Sequence, residues 1–325
     1  MHPFDIVVPC HNYGRYLMEC VKSILVQDGC LVRILIIDDA SSDGSVDVAQ
    51  DLAARDPRIE LIAHADNKGH IATYNEGIAW ARQKYFLLLS ADDVLAPGAL
   101  KRAADLLETN AGVAFVCGKA NEFRGDIPPS ALVDSTPSWV VPGRRFIADI
   151  CANPINPVAT ATAVVRTSVQ KRVGYYKDEL PHAGDLEMWL RCAACGDVGK
   201  IEVVQAYRRL HDSNLSALYA ADGMMFDFIQ RYDAFRIFFA EHGLDLHDGK
   251  RLAALANHQL ANQIVDEAVI QLRHRRVRSA LRLMHFAYRV APGMFLTIRL
   301  IWRLARRFLL GIKRRLSARP RRDIR

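Results

Sequence analysis

Residues 85–89 of this 325-residue chain read YFLLL, apolar at every position. A strand with one face in water alternates apolar and polar side chains, whereas one that is apolar throughout is buried on both faces. Such a strand requires a sheet with helices packed on both sides. A similar run, ILII, occurs at 34–37. Stretches 6–8, 31–37, 59–63, 85–89 and 113–117 therefore read as strands. Between them, 15–27, 46–55, 71–83 and a stretch started by Pro97 read as helices; Leu17, Val21, Ile24 and Leu25 give the first its apolar side. This alternation predicts βαβ units and a mostly parallel sheet, an α/β architecture.

Between 123 and 157 six prolines (Pro128, Pro129, Pro137, Pro142, Pro154 and Pro157) interrupt the pattern, which reads there as an irregular surface insertion that helps shape a site. Strands are expected at 162–165 and 203–207, with a helix at 186–195. Beyond Leu215 the periodicity is helical at 224–241, 250–276, 279–290 and 294–316. No run reaches the about 18 consecutive apolar residues of a membrane span, because Arg299, Arg303, Arg306 and Arg307 interrupt the longest near-miss. The acid Asp5 within a first strand argues against a secretory leader, and the seven scattered cysteines fit reduced thiols, so a cytoplasmic chain is expected. Cys192 and Cys195 have redox or zinc spacing, but without a second pair they read as helix thiols.

The net charge of +7 is unevenly spread. Residues 273–325 hold 17 Lys and Arg against the single acid Asp323, so they carry +16 while residues 1–272 carry −9. An acidic body with a basic tail is not the pattern of a nucleic-acid binder and points to a separate anionic partner for the tail. From Met294 the apolar residues Phe295, Ile298, Ile301, Trp302, Ala305, Phe308, Leu309 and Ile312 recur at helical spacing among arginines and lysines. A basic amphipathic helix of this kind lies in an anionic bilayer interface.

In open α/β sheets, ligands bind beyond the carboxyl ends of the strands. Pro9-Cys10-His11-Asn12, Asp38-Asp39, Asp66-Asn67-Lys68-Gly69 and Ser90-Ala91-Asp92-Asp93 occupy those positions. Neither G-x-G-x-x-G nor G-x-x-x-x-G-K-[ST] is present, so the phosphates of a bound nucleotide need another holder. A divalent cation on carboxylates is the natural substitute.

Taken in order, Pro9-x-x-Asn12, Ile37-Asp38-Asp39-x-Ser41-x-Asp43-Gly44-Ser45, Asn67-x-Gly69, Asn75, Ser90-Ala91-Asp92-Asp93, Gly184-Asp185-Leu186-Glu187-Met188-Trp189-Leu190-Arg191 and Tyr207-Arg208-Arg209-Leu210-His211 closely resemble family 2 glycosyltransferases of the GT-A fold, over about residues 4–216. The resemblance implies a Rossmann-like GT-A domain with a C-terminal helical extension, and an inverting transferase that uses a nucleotide sugar, a UDP-sugar, with Mn²⁺ or Mg²⁺. It places Pro9, His11, Asn12, Asp38, Asp39, Lys68, Gly69, Asn75, Ala91, Asp92 and Arg209 around the donor. His11 stands where an aromatic ring is usual. Ser90-Ala91-Asp92 looks like the family's D-x-D element with serine for the first acid, so Asp92 is the implied metal ligand, with His211 beside it and Asp93 in support. Asp185 matches the acid of the E-D motif, its neighbouring Glu being Gly184 here, and so the catalytic base.

The chemistry agrees with that division. Inverting transfer needs a base to take the proton of the attacking hydroxyl and a cation to offset charge on the departing diphosphate. The expected organisation is a transferase domain over 1–216, a helical extension over 217–292 and a basic membrane-associating tail over 293–325, acting on a saccharide or lipid-linked acceptor at the inner face of a membrane. The competing function is a non-catalytic GT-A-fold scaffold or membrane-docking protein; Ser90 and Gly184 favour it, whereas Asp92, Asp185 and His211 favour the enzyme.

Overall fold

A computed structural model describes residues 1–126, 128, 137–211, 224–243 and 246–296. Four parallel strands open the chain: β1 (His2–Cys10), β2 (Cys30–Asp38), β3 (Ile59–Ala63) and β4 (Tyr85–Leu88), side by side in the order β3-β2-β1-β4. Helices α1 (Gly14–Leu25), α2 (Ser45–Arg55) and α3 (His70–Trp80) connect them. The sheet continues through β8 (Val164–Arg166), β6 (Val113–Phe123) and β9 (Asp197–Arg209) to the two-residue β5 (Val94–Leu95), with β7 (Ser138–Val141) pairing β9. β8 runs antiparallel to both β4 and β6, so the sheet is mixed, with its parallel pairings on either side, within β3-β2-β1-β4 and between β6 and β9.

The apolar runs are explained by what covers each face. Phe4, Ile6 and Val8 of β1, Ile34 and Ile36 of β2 and Tyr85 and Leu87 of β4 pack with Leu17, Val21 and Ile24 of α1 and with Leu100, Ala103 and Leu107 of α4 (Ala99–Thr109). The alternate residues Val7, Leu35, Ile37, Phe86 and Leu88 turn to the other layer. There they meet α3, α5 (Gly143–Ala152), α7 (Gly184–Ala194) and part of α8 (Met224–His242). A short α6 (Thr167–Val173) leads from β8 toward α7.

Two expectations are corrected. The stretch read as an irregular surface insertion contains β7 and α5, and α5 buries Phe146, Ile147, Ile150 and Cys151 in the main core. Pro142, read as a breaker, stands immediately before α5, where a fixed φ suits a helix start and its carbonyl accepts the N–H of Phe146 at 3.0 Å. At the other end, the continuous helix expected from Met294 begins instead as a 3₁₀ turn, Pro292–Leu296. Met294 packs into the core of the helical extension, and Phe295 lies against Tyr288 with ring centroids 5.6 Å apart. The remaining tail positions, including Trp302 and Phe308, and the expected domain boundary at 216/217 lie outside the described residues.

The extension comprises α8, α9 (Gly249–Arg273) and α10 (Val277–Val290). Phe228, Leu260, Ile264, Leu283 and Phe286 form its own core, while Phe235 and Phe238 of α8 and Leu252 and Ala256 of α9 join the core of the sheet domain. No helix among the described residues is long and apolar enough to cross a membrane. All seven cysteines are free thiols.

Candidate active site

The carboxyl ends of β1 to β4 converge, and a cavity of about 320 Å³ opens there, lined by Pro9, His11, Asn12, Asp39, Gly69 and Tyr74 among others. Much of the Asp-rich motif is scaffold for this cavity. Asp38 is fully buried and accepts the N–H of Ser41 at 2.9 Å; Asn12 donates its N–H to Ser41 Oγ at 2.9 Å and accepts that of Ser42 at 2.8 Å. Asp43 accepts the N–H groups of Gly14 and Ser45, tying the start of α1 to that of α2. The loops after β1 and β2 are thereby held as one unit, with His11 Nδ1 donating to the Asp39 carbonyl at 2.8 Å.

Asp39 is held through both of its carboxylate oxygens. Its Oδ1 accepts the N–H of Lys68 at 2.8 Å and lies 2.8 Å from His64 Nδ1; its Oδ2 accepts the N–H of Gly69 at 2.9 Å. Burial works against the charged form, but the His64 ring and the two amides outweigh it and hold the carboxyl below its usual range. Gly69 makes this possible with φ of +84°, a conformation that L side chains rarely adopt.

Of the expected donor contacts, Asp38, Lys68, Asn75, Ala91, Asp92 and Arg209 sit outside that lining. Asn75 is fully engaged with the Tyr176 backbone, donating to its carbonyl at 3.0 Å and accepting its N–H at 2.8 Å. Lys68 reaches the cavity by its amide, while its ammonium lies 3.8 Å from Glu76. Ala91, fully buried, joins the end of β4 to that of β1 through its N–H to Pro9 O at 3.1 Å.

The turn 90–93 separates this cavity from a second, of about 730 Å³: Ser90 faces the first, and Asp93 the second, together with Lys119, Asn156, Thr160, Asp185 and Arg208. Asp92 and His211 are brought together, Oδ2 to Nε2 at 3.0 Å, and the His211 ring packs against Tyr13 and Tyr16 with centroids 5.2 and 5.1 Å away. Burial, reinforced by the charge of Asp92, pushes the Asp93 carboxyl well above its usual range; its Oδ1 accepts the Arg209 N–H. The Arg209 guanidinium is sandwiched between Tyr16 and Phe123 at 4.5 Å from each ring centroid, and it donates to the carbonyls of Asp92 and Gly125. It braces the turn 90–93 from behind.

Asp185 lies in the first turn of α7 and takes a 2.6 Å hydrogen bond from Thr160 Oγ1. Burial raises its carboxyl above the ordinary value, against the opposing hydrogen bonds of Thr160 and Tyr176. A Cβ at Gly184 would come within 3.1 Å of Tyr176 Cδ1, so glycine leaves room for the ring that bears on Asp185. Thr160, Tyr176, Tyr74 and His64 had no signal in the sequence: none belongs to a motif, and each acts only through contacts that the fold makes.

The model for glycosyl transferase family 2 matches residues 5–172. An uncharacterized glycosyltransferase of Haemophilus influenzae is 25% identical over 232 residues, 66% of this chain and 68% of its own. Glycosyltransferase GlyG of Streptococcus pneumoniae is 36% identical over 92 residues, 28% of this chain and 30% of its own. The chain thus spans about two thirds of the first relative and less than a third of the second. Among solved structures, S. aureus TarS 1–349 in complex with UDP-GlcNAc superposes with a TM-score of 0.66 at 16% identity, covering 90% of this chain and 82% of that one. The mannosyltransferase PcManGT of Pyrobaculum calidifontis, in complex with GDP-Man and Mn²⁺, gives 0.52 at 16% identity, covering 87% and 85%. At such identities these likenesses establish the GT-A-like fold alone.

Proposed function

The chain belongs to glycosyl transferase family 2, and from that membership we propose that it is an inverting transferase, moving a sugar from a UDP-sugar to an acceptor hydroxyl during assembly of a polysaccharide or glycolipid. The observation that carries the reading is the contrast between two carboxylates on adjacent cavities. Asp39 is held charged, with three of its acceptor positions filled by His64 and the amides of Lys68 and Gly69 and one left on Oδ2, as suits a group that reads a base edge. Asp185 is held above its ordinary value beside the larger cavity, as suits a base that must accept a proton. The donor's nucleoside then occupies the cavity at Asp39, and the saccharide or lipid-linked acceptor occupies the one at Asp185.

Asp92 and His211 fit a divalent cation. Their facing atoms, a carboxylate oxygen and an imidazole nitrogen, lie 3.0 Å apart and are donors that such an ion accepts. No group of three or more His, Cys, Asp or Glu suited to a metal occurs among the described residues; Asp92 and His211 would hold the cation, with Asp93 in support. Imidazole in the set favours Mn²⁺ over Mg²⁺. When bound, the cation offsets charge on the departing diphosphate. In the same reading, residues 1–216 form the transferase unit, 217–292 the helical extension, and 293–325 a basic tail that keeps a cytoplasmic protein on the inner face of a membrane.

The test is a panel of nucleotide sugars with Mn²⁺ and purified protein, monitoring nucleoside-diphosphate release. Release from at least one UDP-sugar, lost in Asp92→Asn with the fold intact, is expected. Release that persists unchanged in Asp92→Asn removes the metal assignment, and no release from any donor favours the scaffold reading.

A further inference from the structure

His64 lies just past the end of β3, and nothing in the transfer reaction uses it. Its side chain is 2% exposed, yet both ring nitrogens face carboxylate oxygens: Nδ1 lies 2.8 Å from Asp39 Oδ1 and Nε2 2.7 Å from Glu76 Oε2. Its own N–H is fixed to the Asp38 carbonyl at 2.9 Å. Neutral imidazole carries one N–H and one lone pair, so it satisfies only one of two such neighbours; the doubly protonated ring satisfies both. Glu76, on α3, is about one-third exposed, and Lys68 Nζ stands 3.8 Å from it on the outer side. A chain of polar contacts thus runs from solvent at Lys68 and Glu76, through a buried ring, to the carboxylate on the cavity wall.

We propose that His64 is a positioning residue for donor recognition: its ring, held between Asp39 and Glu76, keeps the Asp39 carboxylate against the amides of Lys68 and Gly69. This rests on the reading of Asp39 as the contact to the donor's base. Three of the carboxylate's positions are then filled by protein donors, and what remains of Oδ2 is offered to the base edge in one orientation. A hydrogen bond to an ionised carboxylate is about twice as strong as a neutral one, so loss of the ring loosens Asp39 without removing it. The groups that face the ring are Asp39 from the loop after β2 and Glu76 from α3, with Lys68 behind Glu76.

The experiment is calorimetric titration with UDP and, in parallel, GDP, each with Mn²⁺, on the full chain and its variants. His64→Ala should weaken binding about tenfold or more, while kcat for hydrolysis of the accepted nucleotide sugar changes by less than about twofold once donor is saturating. His64→Asn, whose amide reaches where Nδ1 stood, should restore most of the affinity; His64→Gln, which reaches toward Glu76, should not. A packing role would not distinguish the two. Glu76→Ala, at a partly exposed position that leaves the core intact, removes the ring's second contact and should weaken binding by about threefold, less than His64→Ala does. His64→Ala binding as tightly as wild type while Asp39→Ala binds weakly, or His64→Gln binding as well as His64→Asn, overturns the inference and leaves the donor site standing. Undiminished binding by Asp39→Ala overturns the donor reading itself.

Discussion

At the scale of single residues, the base role proposed for Asp185 and its effect on stability pull in opposite directions. Its carboxyl is raised in the fold, chiefly by burial, so the folded state binds that proton more readily than the unfolded chain does. Stability therefore declines as pH rises from the unfolded value toward the folded one, and at neutral pH the charged carboxylate is a cost. Asp185→Asn keeps an acceptor for Thr160 and removes the charge; it should raise Tm at neutral pH while lowering kcat about 10²- to 10⁴-fold, with donor affinity retained. Scanning calorimetry and donor titration on one sample check both halves, and equal loss of donor binding and turnover would make Asp185 a helix cap instead. In the wild type, turnover should fall as pH drops through this raised value. Asp39→Ala should weaken donor binding by about 1–3 kcal/mol, the consequence of unpairing its partners. Asp39 and Asp185 were legible in the sequence because each follows a strand or opens a helix within a motif. Thr160 and His64 were not, because their roles exist only through contacts 25 residues away to Asp185 and to Asp39, respectively.

At the scale of elements, the motif that contains Asp185 is mostly a fastening. Glu187 and Arg191, one turn apart on α7, form a pair at 2.7 Å that is almost wholly buried. Arg191 also donates to the carbonyls of Val173 and Tyr175, which ties the end of α6 and the approach to Tyr176 onto α7. The pair thus sets where the Tyr176 ring stands against Asp185. Arg191→Leu strands a buried carboxylate and two carbonyls, and should cost about 3–5 kcal/mol, measured by urea unfolding; a change under about 1 kcal/mol would show that Glu187 simply takes up a proton. Elements that carry their own periodicity, such as β3 at Ile59–Ala63 or α2 at Ser45–Arg55, were legible within a residue or so. Those made by partners were not. β5 is two residues that exist through pairing with Tyr207 and Ala206, and β9 extends to Asp197 because β6 lies beside it, with register shifts at Gly118 and Lys119. α5 was hidden by prolines that bracket it.

At the scale of the molecule, the helical extension is fused to the sheet domain by Phe235, Phe238, Leu252 and Ala256, so a chain cut near residue 216 would expose core on both sides of the cut. A cut after residue 296 leaves Met294 in place and spares everything described. That position matters because the last described helix already has a membrane-like face. Val277, Leu281 and Tyr288 are exposed on α10 and share one side at helical spacing, with Arg278, Arg282 and Arg289 flanking them. The +16 of residues 273–325 begins in the same region. An anionic leaflet contributes about 1 kcal/mol for each basic residue near its surface, and burial of apolar side chains adds a part insensitive to salt. Binding to vesicles rich in anionic lipid should therefore weaken without vanishing as salt rises. Removal of residues 297–325 should reduce it strongly, with the α10 face leaving a weak remainder, while nucleotide-sugar hydrolysis in solution stays within about twofold. Flotation at low salt reads the outcome: if the full chain ignores anionic vesicles, the basic end serves a protein partner or its own domain, and if the shortened chain floats as well as the full one, α10 rather than the tail is the membrane contact.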